Sequence, residues 1–263
     1  MSNIQIIERS DANGKKNDDS TVFIRQGERA ILCIADGIGS MTKSDIASGY
    51  CTKLVKKWGE DKDVNRMGRK TTLRELKDLF YKINEDLLAY SASEDESLGT
   101  TLIVAVVGIG KMVLASIGDS RVYVRQNGSC KQVTKDQTVA QEEKEGVIDP
   151  MFAAVSEENK STTLTQWLGH GKDRQPPHPK FYEIDLEEDA DILLCTDGLY
   201  STFTVKELDS GLSTDDIDSF LDSFIARAKE NGETDNISAV LYRRRAEKKK
   251  TKTTDLESKE GHS

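Results

Sequence analysis

Apolar residues in this 263-residue chain fall mainly into short runs closed by glycine or charge, the pattern of strands. The runs predict strands at 22–25, 30–35, 100–107, 112–117, 121–125, 181–184, 192–195 and 237–242. Several are separated by turn-length gaps containing glycine, which favours antiparallel meanders over βαβ units. Helical spacing intervenes three times. Ile46, Tyr50, Leu54 and Trp58 recur at four-residue steps within 44–58. Leu73, Leu76, Leu79, Phe80, Ile83, Leu87 and Leu88 share one face of 72–90, and Ile217, Phe220, Leu221, Phe224 and Ile225 share one face of 215–229. The order predicts an α+β fold, with strands at the centre and helices in runs of two. All four prolines (Pro150, Pro176, Pro177 and Pro179) lie within 141–180, where periodicity weakens. Fixed φ and missing donors there predict an excursion over the surface.

Composition narrows the class. With 36% hydrophobic residues, a chain of this length can bury a core, since roughly 70–75% of the unfolded surface is hidden at this size. The last 21 residues carry eight Lys/Arg against four Asp/Glu, which leaves the first 242 at −13 when the whole chain is −9. An acidic body lacks the contiguous basic surface that a phosphate backbone requires, so no nucleic-acid partner is expected. The segment from 243 onward has no core-forming pattern and reads as a charged, disordered tail after a domain spanning 1–242. The longest apolar run, 102–109, is far short of the ~18 residues of a membrane span. The start MSNIQIIERSD has no apolar stretch typical of a signal peptide, so a cytoplasmic protein is expected. Cys33, Cys51, Cys130 and Cys195 are widely spaced and predict reduced thiols. His170, His178 and His262 offer poor material for a zinc site or a Ser-His-Asp triad.

The carboxylates are the informative feature. Two apolar strands end in Asp-Gly, at Asp36-Gly37 and at Asp197-Gly198. An acid at the end of a buried strand needs a compensating partner, and the glycine lets the chain turn sharply and leaves room for an approaching group. The theme repeats at Asp119 after a strand, at Asp235 before the last strand, and at Asp18-Asp19 before the first. Should these strand ends share one end of a sheet, the acids would repel unless cations neutralised them. Oxygen-only ligation selects hard ions such as Mg²⁺ and Mn²⁺ over zinc. Two such ions sharing a carboxylate clamp a phosphate and activate a water, the chemistry of phosphoester hydrolysis.

Eight segments carry these residues in order: Asn17-Asp18-Asp19-Ser20, Ala35-Asp36-Gly37-Ile38-Gly39, Leu98-Gly99-Thr100-Thr101, Ile117-Gly118-Asp119-Ser120-Arg121, Val133-Thr134-Lys135-Asp136, Leu164-Thr165-Gln166-Trp167-Leu168-Gly169, Leu194-Cys195-Thr196-Asp197-Gly198-Leu199 and Thr234-Asp235-Asn236-Ile237. Together they resemble the protein phosphatase 2C family of metal-dependent Ser/Thr phosphatases in its compact bacterial form, over roughly residues 8–242. The resemblance implies two packed antiparallel sheets flanked by pairs of helices, an α-β-β-α sandwich with the metals at one end. It implies that Asp36 bridges two Mn²⁺ or Mg²⁺ ions and that the Gly37 carbonyl reaches the second. Asp197 and Asp235 then serve the first ion, Asp18 and Asp19 the second, and Asp119 a weaker third. Asn236 is expected to support Asp235, while Gly99–Thr101 and Leu164–Gly169 are expected to pack beside the site.

This chain departs from the family pattern in three ways. The Arg that many members place before the acidic pair to grip phosphate is absent, the segment from Asp11 to Asn17 being about two residues shorter. Only Lys15 and Lys16 are offered there, and lysine binds phosphate as a point charge rather than a fork. Ile38 stands where eukaryotic members often carry a His, and Ser40 stands in place of a usual Gly. None of these changes removes an expected ligand. The resemblance therefore implies a monomeric protein phosphatase in which metal-activated water attacks phosphoserine or phosphothreonine directly, with phosphoproteins and a cognate kinase as partners. The region 140–179 matches the family's mobile flap and is the candidate for substrate selection. The alternative is a catalytically weak module of the same fold that binds phosphoproteins or a partner kinase.

Overall fold

The strand Arg29–Asp36 shows how alternation builds the layers. Ile31, Cys33 and Ala35 pack beneath two helices, whereas Leu32 and Ile34 point between the sheets. A computed structural model describes residues 3–169 and 176–246. Among these residues the strands are β1 (Asn3–Asp11), β2 (Asp19–Gln26), β3 (Arg29–Asp36), β4 (Leu102–Gly108), β5 (Lys111–Ile117), β6 (Arg121–Gln126), β7 (Ser129–Gln132), β8 (Lys180–Asp185), β9 (Ala190–Cys195) and β10 (Ile237–Arg245). The helices are α1 (Ser44–Asp61), α2 (Arg69–Glu94), α3 (Val139–Glu145), α4 (Asp197–Tyr200), α5 (Val205–Leu212) and α6 (Ile217–Glu230). One sheet has the order β1-β10-β9-β6-β7 and the other β2-β3-β4-β5-β8, and all pairings within them are antiparallel.

Three apolar layers result. Leu32, Ile34, Ile103, Leu114, Ile192 and Val240 meet between the sheets. Helices α1 and α2 cover the second sheet through Val55, Leu76, Phe80 and Ile83. Helices α4 to α6 cover the first through Leu199, Leu208, Phe220 and Phe224. This is the expected sandwich, with helices in pairs after β3 and before β10. The β2–β3 hairpin closes through the two-residue turn Gly27-Glu28, with Gly27 at φ +64°. It sets the register from Gln26 opposite Arg29 to Asp19 opposite Asp36.

Elements absent from the sequence reading have recognisable causes. Strand β1 is an edge of mixed polarity, and β7 has only four residues. Strand β4 begins at Leu102 rather than at 100, because Thr100 and Thr101 bond to Asp36 instead of continuing the ladder. The stretch expected as a bare surface excursion contains most of α3. Its partner segment folds back through the bridges Thr138–Leu164 and Thr100–Leu168, and Leu168 is fully buried.

The strand β10 runs through Arg245, three residues past the domain boundary at 242 expected from charge alone. Arg243 and Arg244 are buried there. Arg243 donates to Asp191 at 2.6 Å and to the Leu212 carbonyl at 2.6 Å, and Arg244 donates to the Gly108 carbonyl at 3.0 Å. These arginines are core anchors with internal partners, which a count of charge does not reveal. The rest of the expected tail, 247–263 with His262 in it, and His170 lie outside the described residues. All four cysteines are buried and free. Among the described residues no helix is long and apolar enough to cross a membrane.

Candidate metal centre and active site

The inward-facing residues of both sheets change from apolar to polar at one end of the sandwich. Asp19 opens β2 directly opposite Asp36, which closes β3, so period-two geometry turns both carboxyls toward the other sheet. From that other sheet Thr196, just past β9, donates its hydroxyl to Asp19 Oδ2 at 3.0 Å and accepts the Ser238 N–H at 3.1 Å. Asp197 follows Thr196 and opens α4, and Asp235 precedes β10. Asp119 lies on the connection that crosses from β5 to β6, between the two sheets. All five acids thus come from strand ends at the same edge.

The backbone around Asp36 is clamped. Its carbonyl accepts the Thr101 N–H and the Thr100 hydroxyl, both at 2.8 Å, and its N–H donates to the Thr101 hydroxyl at 3.1 Å. Gly37 donates its N–H to the Asp18 carbonyl at 3.0 Å. A Cβ on Gly37 would stand 2.5 Å from the Ser44 carbonyl oxygen and 2.6 Å from that of Asp18. A Cβ on Gly198 would collide with the Asn236 carbonyl oxygen. Both Asp-Gly glycines are therefore required by close backbone approach beside the acids.

The electrostatics record the convergence. Burial, then the charges of Asp19, Asp197, Asp119 and Asp235, push Asp36 well above the usual carboxylate range. Burial pushes Asp19 up to about 6, against hydrogen bonds from Ser238, Thr196 and Asp36 that favour its ionised form. Burial and then Asp235 and Asp19 raise Asp197 to about 6. Burial and then Asp197 and Asp136 raise Asp119 to about 8. The neighbouring Arg121 does not spend its hydrogen bonds on Asp119. That guanidinium instead grips Asp136, with Nη2 at 2.7 Å and Nε at 3.1 Å, and lies 3.7 Å from the Tyr200 ring centroid.

The donor set suits hard divalent ions. It consists of carboxylates and backbone carbonyls, and the buried oxygens Asp18 Oδ1 and Asp197 Oδ1 have no hydrogen-bond partner. Among the described residues no three Asp, Glu, His or Cys side chains form a closed cage as they stand. Bare carboxylates repel, and Asp235 is turned to another cation, Lys15 Nζ, 2.6 Å from its Oδ1. Lys16 is likewise engaged, 2.6 Å from Asp45 Oδ1 and 3.8 Å from Asp18 Oδ1. Neither of the two expected phosphate-gripping lysines is free of a carboxylate partner.

Asn236 does more than back Asp235. Its N–H donates to Asp235 Oδ1 at 2.7 Å, while its side chain accepts the Asp18 N–H at 2.8 Å and donates to the Ala12 and Lys16 carbonyls at 3.0 Å each. It thereby fixes the whole loop that carries the lysines and the acidic pair. Sequence reasoning missed Thr196, Ser238 and Asn13, whose amide donates to the Glu233 and Asp235 carbonyls at 2.7 and 3.1 Å. Strand parity could have placed Thr196 and Ser238, since each follows an inward-facing position by two residues or leads one by two. Asn13 carries no comparable signal.

Comparison with known proteins agrees with this geometry. The family model described as protein phosphatase 2C matches residues 9–242. The serine/threonine phosphatase stp of Listeria monocytogenes is 27% identical over 231 residues, covering 86% of this chain and 89% of its own. Protein phosphatase PhpP of Streptococcus pneumoniae is 26% identical over 227 residues, covering 83% and 87%. The crystal structure of serine/threonine phosphatase Stp1 from Staphylococcus aureus superposes with a TM-score of 0.79 at 24% identity, over 94% of this chain and 96% of that one. The catalytic domain of the phosphatase PstP, in complex with two manganese ions, does so with a TM-score of 0.73 at 25% identity, over 92% and 99%.

Proposed function

The chain belongs to the protein phosphatase 2C family, metal-dependent enzymes that remove phosphate from serine and threonine in proteins, and we propose that the acid end of its sandwich carries out that hydrolysis. Asp36, with the Gly37 carbonyl beside it, would hold Mn²⁺ or Mg²⁺ at the centre of this acid cluster. Asp197 and Asp235 would hold a first ion, Asp18 and Asp19 would serve a second, and Asp119 would serve a weaker third. When bound, such ions supply Lewis acidity, polarising a phosphoryl oxygen and bringing the pKa of a water toward neutrality.

The chain's own residues supply position and charge. Thr196 and Ser238 orient Asp19, Thr100 and Thr101 hold the Asp36 backbone, and Asn236 holds Asp18 relative to Asp235. Lys15 and Lys16 are half-exposed beside Asp235 and Asp18, where a phosphoryl group would meet positive charge. The buried thiols leave no cysteine nucleophile. Residues 140–179 select the phosphoprotein, and the exposed Val147 and Met151 offer apolar contact there. We place the enzyme in the cytoplasm as a monomer opposing a Ser/Thr kinase.

The observation that carries this reading is the pairing of Asp19 with Asp36 within reach of the charges of Asp197, Asp119 and Asp235. Hydrolysis of p-nitrophenyl phosphate and of a phosphothreonine peptide is expected with Mn²⁺, to be absent in EDTA, and to be abolished by Asp36→Asn. Binding of phosphopeptide without metal-dependent turnover would instead identify a recognition module.

A further inference from the structure

The turn that carries Lys15 is bolted to the segment that carries Asp235. Asn13 and Gly14 both have left-handed backbones, at φ +48° and +80°, and the Asn13 N–H donates to Asp11 Oδ1 at 2.8 Å. The Asn13 side chain then ties this turn to the Glu233 and Asp235 carbonyls. Lys15 is thereby delivered to a particular oxygen, Asp235 Oδ1, at 2.6 Å. That oxygen also accepts the Asn236 N–H. The side chains of Lys15 and Asp235 are 46% and 50% exposed, so water can replace either partner at small cost.

From this geometry we infer that Lys15 is the resident counter-ion of Asp235: it competes with the divalent ion for Oδ1, and loading the ion hands the tethered ammonium over to the incoming phosphoryl group. The inference rests on the proposed role of Asp235 as a metal ligand. It adds a coupling that ligand assignment does not contain. Without the ion the ammonium is engaged, and with it the ammonium is released beside the acid centre. Linkage makes the effect reciprocal, so an anion that takes up Lys15 favours ion binding by the same factor. Lys16 is a graded comparison, since its nearest carboxylate is Asp45 and it reaches an expected ligand, Asp18 Oδ1, only at 3.8 Å.

The test measures Mn²⁺ binding by isothermal titration to the full chain and to Lys15→Gln, Lys15→Arg and Lys16→Gln, without substrate. Lys15→Gln is expected to bind Mn²⁺ about threefold to fivefold more tightly, the range open to a half-exposed ion pair. Lys15→Arg should stay near the parent, and Lys16→Gln should move less than Lys15→Gln. In the Mn²⁺-loaded proteins, inorganic phosphate should bind about fivefold more weakly to Lys15→Gln than to the parent, the same range applied to one lost charge contact. Unchanged or weaker Mn²⁺ binding by Lys15→Gln overturns the competition, and an unchanged phosphate constant overturns the hand-over. Failure of every protein to bind Mn²⁺ overturns the metal centre itself, and this inference with it.

Discussion

Without divalent ions the acid end should make this protein less stable as pH rises. Asp19 and Asp197 stand at about 6 and Asp119 at about 8 in the folded chain, against the usual 3.8. Between these values the folded state binds more protons than the unfolded one, so the slope of unfolding free energy with pH is negative. The penalty is absent below about pH 4 and keeps growing as pH passes through about 8, where Asp119 is half ionised. A rise from 3.8 to about 6 costs one carboxyl about 3 kcal/mol when it is ionised. Because these acids titrate as a coupled set, their shifts do not add, and the centre as a whole should lose about 3–6 kcal/mol. Asp11, Asp45, Asp216 and Glu207 are shifted the other way and act at lower pH, below about 4.5. Urea unfolding in EDTA at half-unit steps from pH 5 to 8.5 measures the slope. Asp197→Asn should flatten it, by removing one titrating group and a charge that raises Asp119 and Asp36. At pH 8, Mn²⁺ at 100 times its Kd should restore about 2.7 kcal/mol per site. A parent protein that gains stability from pH 5 to 8 in EDTA, or an unaltered slope in Asp197→Asn, would refute the assignment of buried, mutually repelling acids.

Two further substitutions separate the centre from its supports. Asn236→Ala removes the partner of the Asp18 N–H and of two loop carbonyls. It should cost about 3 kcal/mol in urea melts and weaken Mn²⁺ binding by titration, whereas a change in stability alone would limit Asn236 to holding the loop. Asp191→Ala strands the buried Arg243, and its loss should cost about 3–5 kcal/mol. Since Asp191 and the acid centre sit at opposite ends of β9, turnover per folded molecule should be unchanged.

Strands β3, β4, β5 and β9 were legible because both of their faces are buried and their apolar runs are nearly unbroken. Strand β1 was not, since an edge strand reading NIQIIERSD makes its case only through its partner β10. Likewise the acids announced themselves as charges closing apolar strands, but the partners of the flanking lysines did not. Lys15 meets Asp235 across 220 positions of chain, and no spacing rule connects two loops that only the stacked sheets bring together. Arg243 and Arg244 were misassigned for the related reason that their buried partners belong to other strands and loops.

The two-residue turn at Gly27-Glu28 sits seven residue steps from the Asp19–Asp36 pair, or about 24 Å along the hairpin. Gly27 is exposed and Glu28 half-buried, and by ordinary expectation such a surface turn should tolerate an added residue. Yet one extra residue taken up as a slip of β2 against β3 would rotate the Asp19 carboxyl to the helix-facing side and leave Asp36 without its neighbour. The length of a remote surface loop thus acts as a ruler for the ion centre, and among relatives it should vary less than the exposure of its residues would suggest.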